Sequence, residues 1–122
     1  MTLLLDSVIV IDHFNNIPAA TAYLRMVHAG AAISVITRAE VLTGFPDESR
    51  KKALQLLDIF PVLDITKDVA DLAARLRREQ GWKLPDAFQA ALAVTHKIKL
   101  ATRNTKDFSP SRHDFVTVPY QA

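Results

Sequence analysis

The sequence predicts an α/β domain in which a mostly parallel, twisted sheet of roughly five strands is covered by helices on both faces. Short apolar runs of strand length alternate along the chain with segments whose apolar residues recur at helical spacing. The connections between them are short, and the sequence contains no repeats or low-complexity tracts. Such alternation is typical of a parallel sheet that is buried on both sides.

The first half of the chain contains two predicted strands and several helices. Pro18 and Pro46 are favourable first-turn residues and each begins a helix. Thr37, with Glu40 three residues later, forms a capping-box pattern that opens another helix. The predicted elements are a strand at 3–6, helices through residue 11 and over 18–30, a strand at 33–36, a helix toward residue 44 and a helix from residue 46.

The second half repeats the alternation. Gly81 is a typical helix terminator, and Pro85 opens an Ala-rich helix that reads as buried. The predicted elements are a strand at 61–65, a helix with apolar positions at 69, 72, 73 and 76, a helix from 86 to about 96, and strands at 98–102 and 115–118.

The composition is that of a single globular domain spanning residues 1–122. With 49% hydrophobic and 23% charged residues, the chain has enough material for one core. The absence of cysteine excludes disulfides and thiolate metal sites, and it fits a reducing cytoplasm. The first residues lack a basic region, and no apolar stretch approaches the ~20 residues of a membrane span. We therefore expect a cytoplasmic protein without a signal peptide or a membrane partner.

The net charge of +2 is distributed unevenly. Residues 1–66 carry five Lys or Arg against seven Asp or Glu, whereas residues 67–122 carry ten against six, so the balance changes from −2 to +4. A basic second half suits contact with a phosphate backbone. Scattered charges on a solvated surface are an equally good interpretation.

Four acidic residues lie near the ends of predicted elements. They are Asp6 at the end of the first strand, Glu40 one helical turn after the second, Asp86 in the first turn of its helix and Asp107 shortly after the strand at 98–102. Ligands of open parallel sheets bind beyond the carboxyl ends of the strands, so we expect these side chains to converge. Carboxylates ~4–5 Å apart in a partly dry pocket repel strongly and need a neutralising partner. A hard divalent cation with oxygen ligands is the expected partner, and it points to phosphodiester chemistry.

Each acid also has a local structural interpretation. Asp6 can cap the helix that follows it, and Glu40 can complete the capping box with Thr37. Asp86 can interact with the dipole of its helix, and Asp107 can be a turn residue. The shared position of all four at one edge of the sheet favours a site.

Three segments resemble the PIN-domain ribonucleases, most closely the VapC-type toxins of bacterial toxin–antitoxin pairs: LLLDSVIVID, ITRAEVLTG and LPDAFQAALAVTHKIKLATRNTKDF. The resemblance covers essentially the whole chain. It is most specific at 84–108, where a D-A-x-x-A-A-x-A helix precedes an apolar strand and the motif T-R-N-x-x-D-F. It implies a three-layer α/β/α sandwich, Mg²⁺- or Mn²⁺-dependent endoribonuclease activity, a homodimer, and a cognate antitoxin whose C-terminal tail blocks the site.

The same resemblance assigns site residues. They are an acidic triad of Asp6, Glu40 and Asp86, with Ser7 and Thr102 as polar neighbours. The fourth position stays open, because Asn104 stands where many members carry an acid, whereas other members share T-R-N with an acid three residues later, here Asp107. The chain departs from the family pattern at Val8, where an Asn is usual.

The charges suggest a mechanism for RNA hydrolysis. A metal ion held by Asp6 and Asp86 would activate a water and offset charge on the phosphate oxygens, and Glu40 and Asp107 would hold a second ion or orient the water. No His or Lys is placed by motif as a general base, so the resemblance implies 5′-phosphate and 3′-hydroxyl products. Candidates for phosphate contact, or alternatively solvated loop charges, are Lys83, Arg103 and Lys106.

Two other classes of function stay open. A receiver-like signalling domain also gathers acids and Mg²⁺ at the end of a five-stranded parallel sheet, but it needs a late Lys paired with an acceptor Asp, and no good pair is present. A catalytically inactive PIN fold that binds RNA or protein is the other class. A metal-binding titration separates the inactive fold from the enzyme.

The antitoxin and the RNA each have a predicted contact region. Leu42, Phe45, Leu54 and Leu57 are predicted to form an apolar groove for an antitoxin helix. RNA selectivity is expected to depend on the loops at 45–50 and 81–85.

Overall fold

A computed structural model describes residues 1–121 and contains one five-stranded sheet. All four strand pairings are parallel, and the strand order is β3-β2-β1-β4-β5. The strands are β1 (Leu3–Leu5), β2 (Ala31–Ser34), β3 (Val62–Leu63), β4 (Lys99–Ala101) and β5 (Val116–Thr117). The predicted strands are present, each somewhat shorter or displaced by one or two residues.

Six helices connect the strands. They are α1 (Ser7–Phe14), α2 (Pro18–Val27), α3 (Val35–Thr43), α4 (Arg50–Leu57), α5 (Lys67–Gln80) and α6 (Leu84–His96). Two short 3-10 turns, His28–Gly30 and Asp47–Ser49, extend the end of α2 and precede α4. In residues 1–121, no helix combines the length and the apolar character that crossing a bilayer requires.

The helix ends follow local capping rules, with one correction to the sequence prediction. Ser34 caps α3, because its Oγ accepts a hydrogen bond from the backbone N–H of Thr37 at 3.0 Å. The predicted capping box of Thr37 and Glu40 is therefore wrong, and Glu40 lies inside the helix. Gly81 ends α5 with a φ of +74°, a left-handed conformation that glycine adopts without strain.

Two hydrophobic clusters cover the two faces of the sheet. Successive strand side chains point to opposite faces, so Leu4 belongs to one cluster and Leu5 to the other. The Leu4 cluster contains buried apolar residues of α5 and α6, and the Leu5 cluster contains buried apolar residues from each of α1 to α4. The fold is therefore a three-layer α/β/α sandwich. Trp82 and Phe108 are buried in the Leu4 cluster and are core residues.

The strand order places a binding crevice between β1 and β4. From β1 the chain moves outward through β2 and β3, and it then returns to the other side of β1 with β4. Ligands of such sheets bind at this reversal, beyond the strand carboxyl ends. A receiver domain has the order 2-1-3-4-5, so the observed order rules out the receiver-like alternative.

Candidate active site

Asp6 lies at the reversal between β1 and β4. Its backbone N–H donates to the carbonyl of Ala101 at 2.9 Å, which fixes the end of β1 against the end of β4. It also caps α1, because its Oδ1 accepts from the N–H of Ser7 at 2.8 Å. The capping role and a site role thus coexist in one residue, since a carboxylate oxygen has more than one lone pair.

Both carboxylate oxygens of Asp6 have protein donors. Thr102 Oγ1 donates to Oδ2 at 2.7 Å, and Gln89 Nε2 lies 3.4 Å from Oδ1. Asp6 and Thr102 are buried, and Gln89 is 1% exposed. Ser7 contributes its backbone N–H, and Val8 packs against the Leu5 cluster. The side-chain amide next to Asp6 is therefore that of Gln89, because position 8 is a valine in this chain.

Asp86, in the first turn of α6, is partly buried among other carboxylates. Burial is the largest cause that raises the pKa of Asp86, which reaches about 6. Three negative charges add to this effect, in decreasing order Asp6, Asp107 and Glu40. The positive charge of Lys83, the N-cap residue of the same helix, acts in the opposite direction and offsets part of this rise in pKa. The structure therefore brings the four sequence-predicted acids into one electrostatic cluster.

The loop after β4 presents Asp107 through local hydrogen bonds. Asn104 Nδ2 donates to Asp107 Oδ2 at 3.0 Å, and the N–H of Asn104 donates to Thr102 Oγ1 at 3.0 Å. From the other side, Trp82 Nε1 donates to the carbonyl of Asp107 at 3.1 Å. Of the two candidates for the fourth position, Asp107 adds charge to the cluster while Asn104 orients it.

Glu40 is exposed on α3 and lies at the rim of a cleft. The cleft measures 340 Å³ and is lined by Ile11, Phe14, Asn15, Glu40, Val41, Gly44 and Phe45. The groove that was predicted from Leu42, Phe45, Leu54 and Leu57 needs correction. Leu57 is fully buried in the core, and Phe45 packs edge-on against Phe14.

The carboxylate cluster fits a divalent cation by its chemistry and its charge. Its donors are oxygens only, which hard ions such as Mg²⁺ and Mn²⁺ prefer. Burial first, and then the charges of the other three acids, raise the pKa of Asp86, and a divalent cation would offset those charges. Within the described chain, no three Asp, Glu or His side chains already surround one point as ligands.

The three basic candidates for phosphate contact differ in their surroundings. Lys83 lies close enough to affect Asp86, and Lys106 is exposed on the loop that carries Asp107. Arg103 instead forms an ion pair with Asp12, with Nε–Oδ2 and Nη2–Oδ1 distances of 2.6 and 3.0 Å. Two of the guanidinium nitrogens of Arg103 are therefore engaged with Asp12, and its role in phosphate contact stays a prediction.

The Asp12 cluster escaped sequence analysis. Tyr120 donates its hydroxyl to Asp12 Oδ2 at 2.8 Å, and Arg103 lies over the Tyr120 ring at 6.0 Å. Burial of Asp12 acts to raise its pKa, but the hydrogen bonds from Arg103 and Tyr120 outweigh it, so the pKa is below its usual value. Burial and the bond to Asp12 raise the pKa of Tyr120. The partners come from opposite ends of the chain, so no local pattern reveals them.

Gln89 was also missed, although the sequence holds a signal for it. It is the polar residue in a helix segment whose neighbours Ala87, Ala90 and Ala91 are all buried. A polar side chain on the buried face of an apolar helix requires a hydrogen-bond partner in the fold.

Comparisons with known proteins identify related chains. The PIN domain family matches residues 3–110. Ribonuclease VapC10 of Mycobacterium tuberculosis is 32% identical over 113 residues, which cover 87% of this chain and 85% of that protein.

Solved structures with the same fold extend the comparison. A toxin–antitoxin complex from Klebsiella pneumoniae contains a chain that is 34% identical, with a TM-score of 0.87 and coverage of 99% of this chain and 100% of that one. VapBC2 from Rickettsia felis, bound to a promoter DNA fragment, is 22% identical, with a TM-score of 0.77 and coverage of 95% and 96%. The Rickettsia likeness shows the shared fold, whereas the Klebsiella chain is also related in sequence.

Proposed function

The chain belongs to the PIN-domain family, and from this premise we propose that it is the endoribonuclease toxin of a VapBC-type toxin–antitoxin pair, acting at the carboxylate cluster. The observation that carries the proposal is the convergence of four acids from distant parts of the chain at the sheet reversal. Its homologue VapC10 is a ribonuclease, and the two chains align over most of their lengths.

The ion at this site is Mg²⁺ or Mn²⁺ in our proposal. Asp6, Glu40 and Asp86 would hold it, with Asp107 as the fourth carboxylate. Bound there, the ion would supply an activated water and offset the charge that builds on the phosphate oxygens.

The chain's own polar groups prepare the carboxylates for this role. Thr102 and the N–H of Ser7 hold opposite oxygens of Asp6, which restricts its rotation. Asn104 restricts Asp107 in the same manner. Lys83, beside Asp86, binds a phosphate of the RNA and draws the negatively charged substrate toward a negatively charged cluster.

The protein partners are a cognate antitoxin and a second copy of the chain. The cleft beside Glu40 is the docking place that we assign to an antitoxin segment, because an apolar side chain there would pack on Phe14 and Phe45 next to the acids. Replacement of Phe45 by Ser is expected to weaken antitoxin binding at least ~10-fold. Unchanged affinity in a titration with the purified antitoxin would place the docking surface elsewhere.

The activity is tested by incubating the purified protein with a panel of structured RNAs, with Mn²⁺ or with a chelator, beside the variant Asp86→Asn. We expect metal-dependent cleavage with 5′-phosphate and 3′-hydroxyl ends, reduced more than ~100-fold in the variant. Products ending in a cyclic phosphate would contradict the metal-dependent mechanism. No cleavage in any reaction, with both proteins folded, would favour a binding domain without activity.

A further inference from the structure

Gln89 occupies an unusual position for an amide. It lies on the buried side of α6, is 1% exposed, and has alanines on either side at 87 and 90. Its Oε1 is buried and accepts no hydrogen bond from any of residues 1–121. Apart from this atom, every buried side-chain nitrogen or oxygen in that part of the chain has a partner. The hydrogen bonds of this side chain are therefore all made by its nitrogen.

The amide nitrogen contacts two of the elements that build the site. Gln89 Nε2 donates to Thr37 Oγ1 at 2.7 Å and lies 3.4 Å from Asp6 Oδ1. Thr37 Oγ1 in turn lies 3.4 Å from the carbonyl of Leu5, its acceptor. The hydroxyl of Thr37 donates to the carbonyl of Leu5, so the Thr37 oxygen is left to accept from Gln89. The carboxylate of Asp6 also requires a donor, which only the NH₂ group of the amide can supply. The orientation of Gln89 is thus fixed by its partners.

These contacts join the three elements that carry three of the acids. Gln89 is one turn after Asp86 on α6, and Thr37 is one turn before Glu40 on α3. Asp6 directly follows β1. A shift of any one element relative to the others would lengthen a bond to Gln89. The amide therefore connects the elements that carry Asp6, Glu40 and Asp86.

We propose that Gln89 is a positioning residue that holds the carboxylates of the proposed active site in register for divalent-cation binding. This inference rests on the proposed function. The unpartnered Oε1 supports it, because a buried acceptor without a donor destabilises the fold, and an apolar side chain of the same length would avoid that loss. The unpartnered Oε1 thus lowers the stability of the fold, and packing of the core does not require an amide at this position.

The test replaces Gln89 by Met, which keeps the length of the side chain and removes both polar atoms. On the full chain, we expect the Kd for Mn²⁺, measured by calorimetry, to rise ~10-fold or more. We expect kcat for RNA cleavage to fall by a similar factor with KM within about two-fold, since the RNA contacts are untouched. The Tm without metal is expected to change by less than about 5 °C, because removal of the unpartnered Oε1 offsets the loss of the hydrogen bonds that Nε2 donates.

Leu92→Met is the matched control. Leu92 is fully buried on the same helix, one turn further along, and belongs to the core cluster. A Leu-to-Met change conserves volume. We expect the Leu92 variant to keep its Mn²⁺ affinity and kcat within about two-fold of the parent, so that an effect of Gln89→Met cannot be ascribed to core repacking.

Three results would overturn the inference. They are an unchanged Mn²⁺ affinity in Gln89→Met, a Tm loss of more than about 5 °C that accompanies the activity loss, and a parent protein that binds no Mn²⁺. A parent protein that binds Mn²⁺ but cleaves no RNA contradicts the proposed function alone. In that case the ratio of Mn²⁺ affinities still decides the role of Gln89.

Discussion

Asp86 is partly buried and Asp12 is buried, and their surroundings shift the pKa values of the two side chains in opposite directions. Asp12 meets a guanidinium and a phenol, and its pKa lies below the usual value. Burial, and then the charges of neighbouring carboxylates, raise the pKa of Asp86 to about 6. Asp12 has its cation within the fold, whereas Asp86 forms no ion pair in the described part of the chain. This contrast is what we would expect if Asp12 stabilises the fold and Asp86 belongs to the proposed cation site.

The largest expected effect is a difference of sign between two Asp→Asn variants. Asp12→Asn leaves the charge of Arg103 without its partner and should lower the free energy of unfolding by about 2–4 kcal/mol. Asp86→Asn removes repulsion and should raise that free energy by about 1–2 kcal/mol at neutral pH without metal. Urea denaturation in the presence of a chelator measures both values. Two changes of the same sign would remove the distinction between the two aspartates.

The second expected effect is stabilisation by metal. At a Mn²⁺ concentration 100 times its Kd, the parent protein should gain about 2.7 kcal/mol of unfolding free energy. Asp12→Asn should show the same gain from its lower starting value, since Asp12 is bound to Arg103 and Tyr120. Asp86→Asn should gain much less. Equal gains in all three proteins would place the ion away from Asp86.

The third effect is a pH dependence with opposite slopes. The folded pKa of Asp86 is about 6 against an ordinary 3.8, so the folded protein binds a proton that the unfolded chain releases. This contribution, about 1–2 kcal/mol after allowance for solvent screening of a partly exposed group, is complete below pH 3.8 and is lost as the pH rises through about 6. Asp12, with its lowered pKa, contributes stability above 3.8 that is lost as the pH falls below that value.

Denaturation of the metal-free protein between pH 3 and 8 checks these slopes. The difference between the parent and Asp86→Asn isolates the Asp86 contribution, because the histidines and Asp12 are common to both proteins. We expect that difference to change mainly between pH 4 and 6. A constant difference across this range would mean that Asp86 titrates alike in the folded and unfolded states.

The smallest expected effect concerns the cation next to Asp86. Lys83→Asn should raise KM for RNA a few-fold and reduce the salt dependence of binding by about one phosphate contact. Lys97→Asn is the control, because Lys97 caps the opposite end of α6 in a left-handed conformation that Asn tolerates. Identical salt slopes for the two variants would show that Lys83 contacts no phosphate.

The sequence was sufficient for the architecture and for the cluster of acids because both depend on local patterns and strand ends. Asp6 and Asp86 sit beside breaks in apolar periodicity that the sequence displays directly. The contacts of Gln89 with Thr37 and Asp6 bridge 52 and 83 positions of the chain, and no local spacing encodes them. Arg103 illustrates the same limit, since its charge was visible and its partner Asp12, 91 positions away, was not.

The helix start at α3 shows how a short-range signal can also mislead. Thr37 and Glu40 fit a capping box, but Ser34 precedes them and is itself a favourable cap. Thr37 is then free to direct its hydroxyl to Leu5 and Gln89. The misassigned cap is the residue that links α3 to the other parts of the site.

The strand order has a consequence for the synthesis of the chain. β1 is made first, yet it occupies the centre of the sheet and pairs with β4, Leu3 lying opposite Lys99. At translation rates of about 5–20 residues per second, the strand that completes this centre is made roughly 5–20 s after β1. Thr102 and Asp107, which complete the acid cluster, follow later still. A growing chain that has not yet reached residue 107 therefore lacks part of the carboxylate cluster, so the proposed nuclease site cannot form before that stage of synthesis.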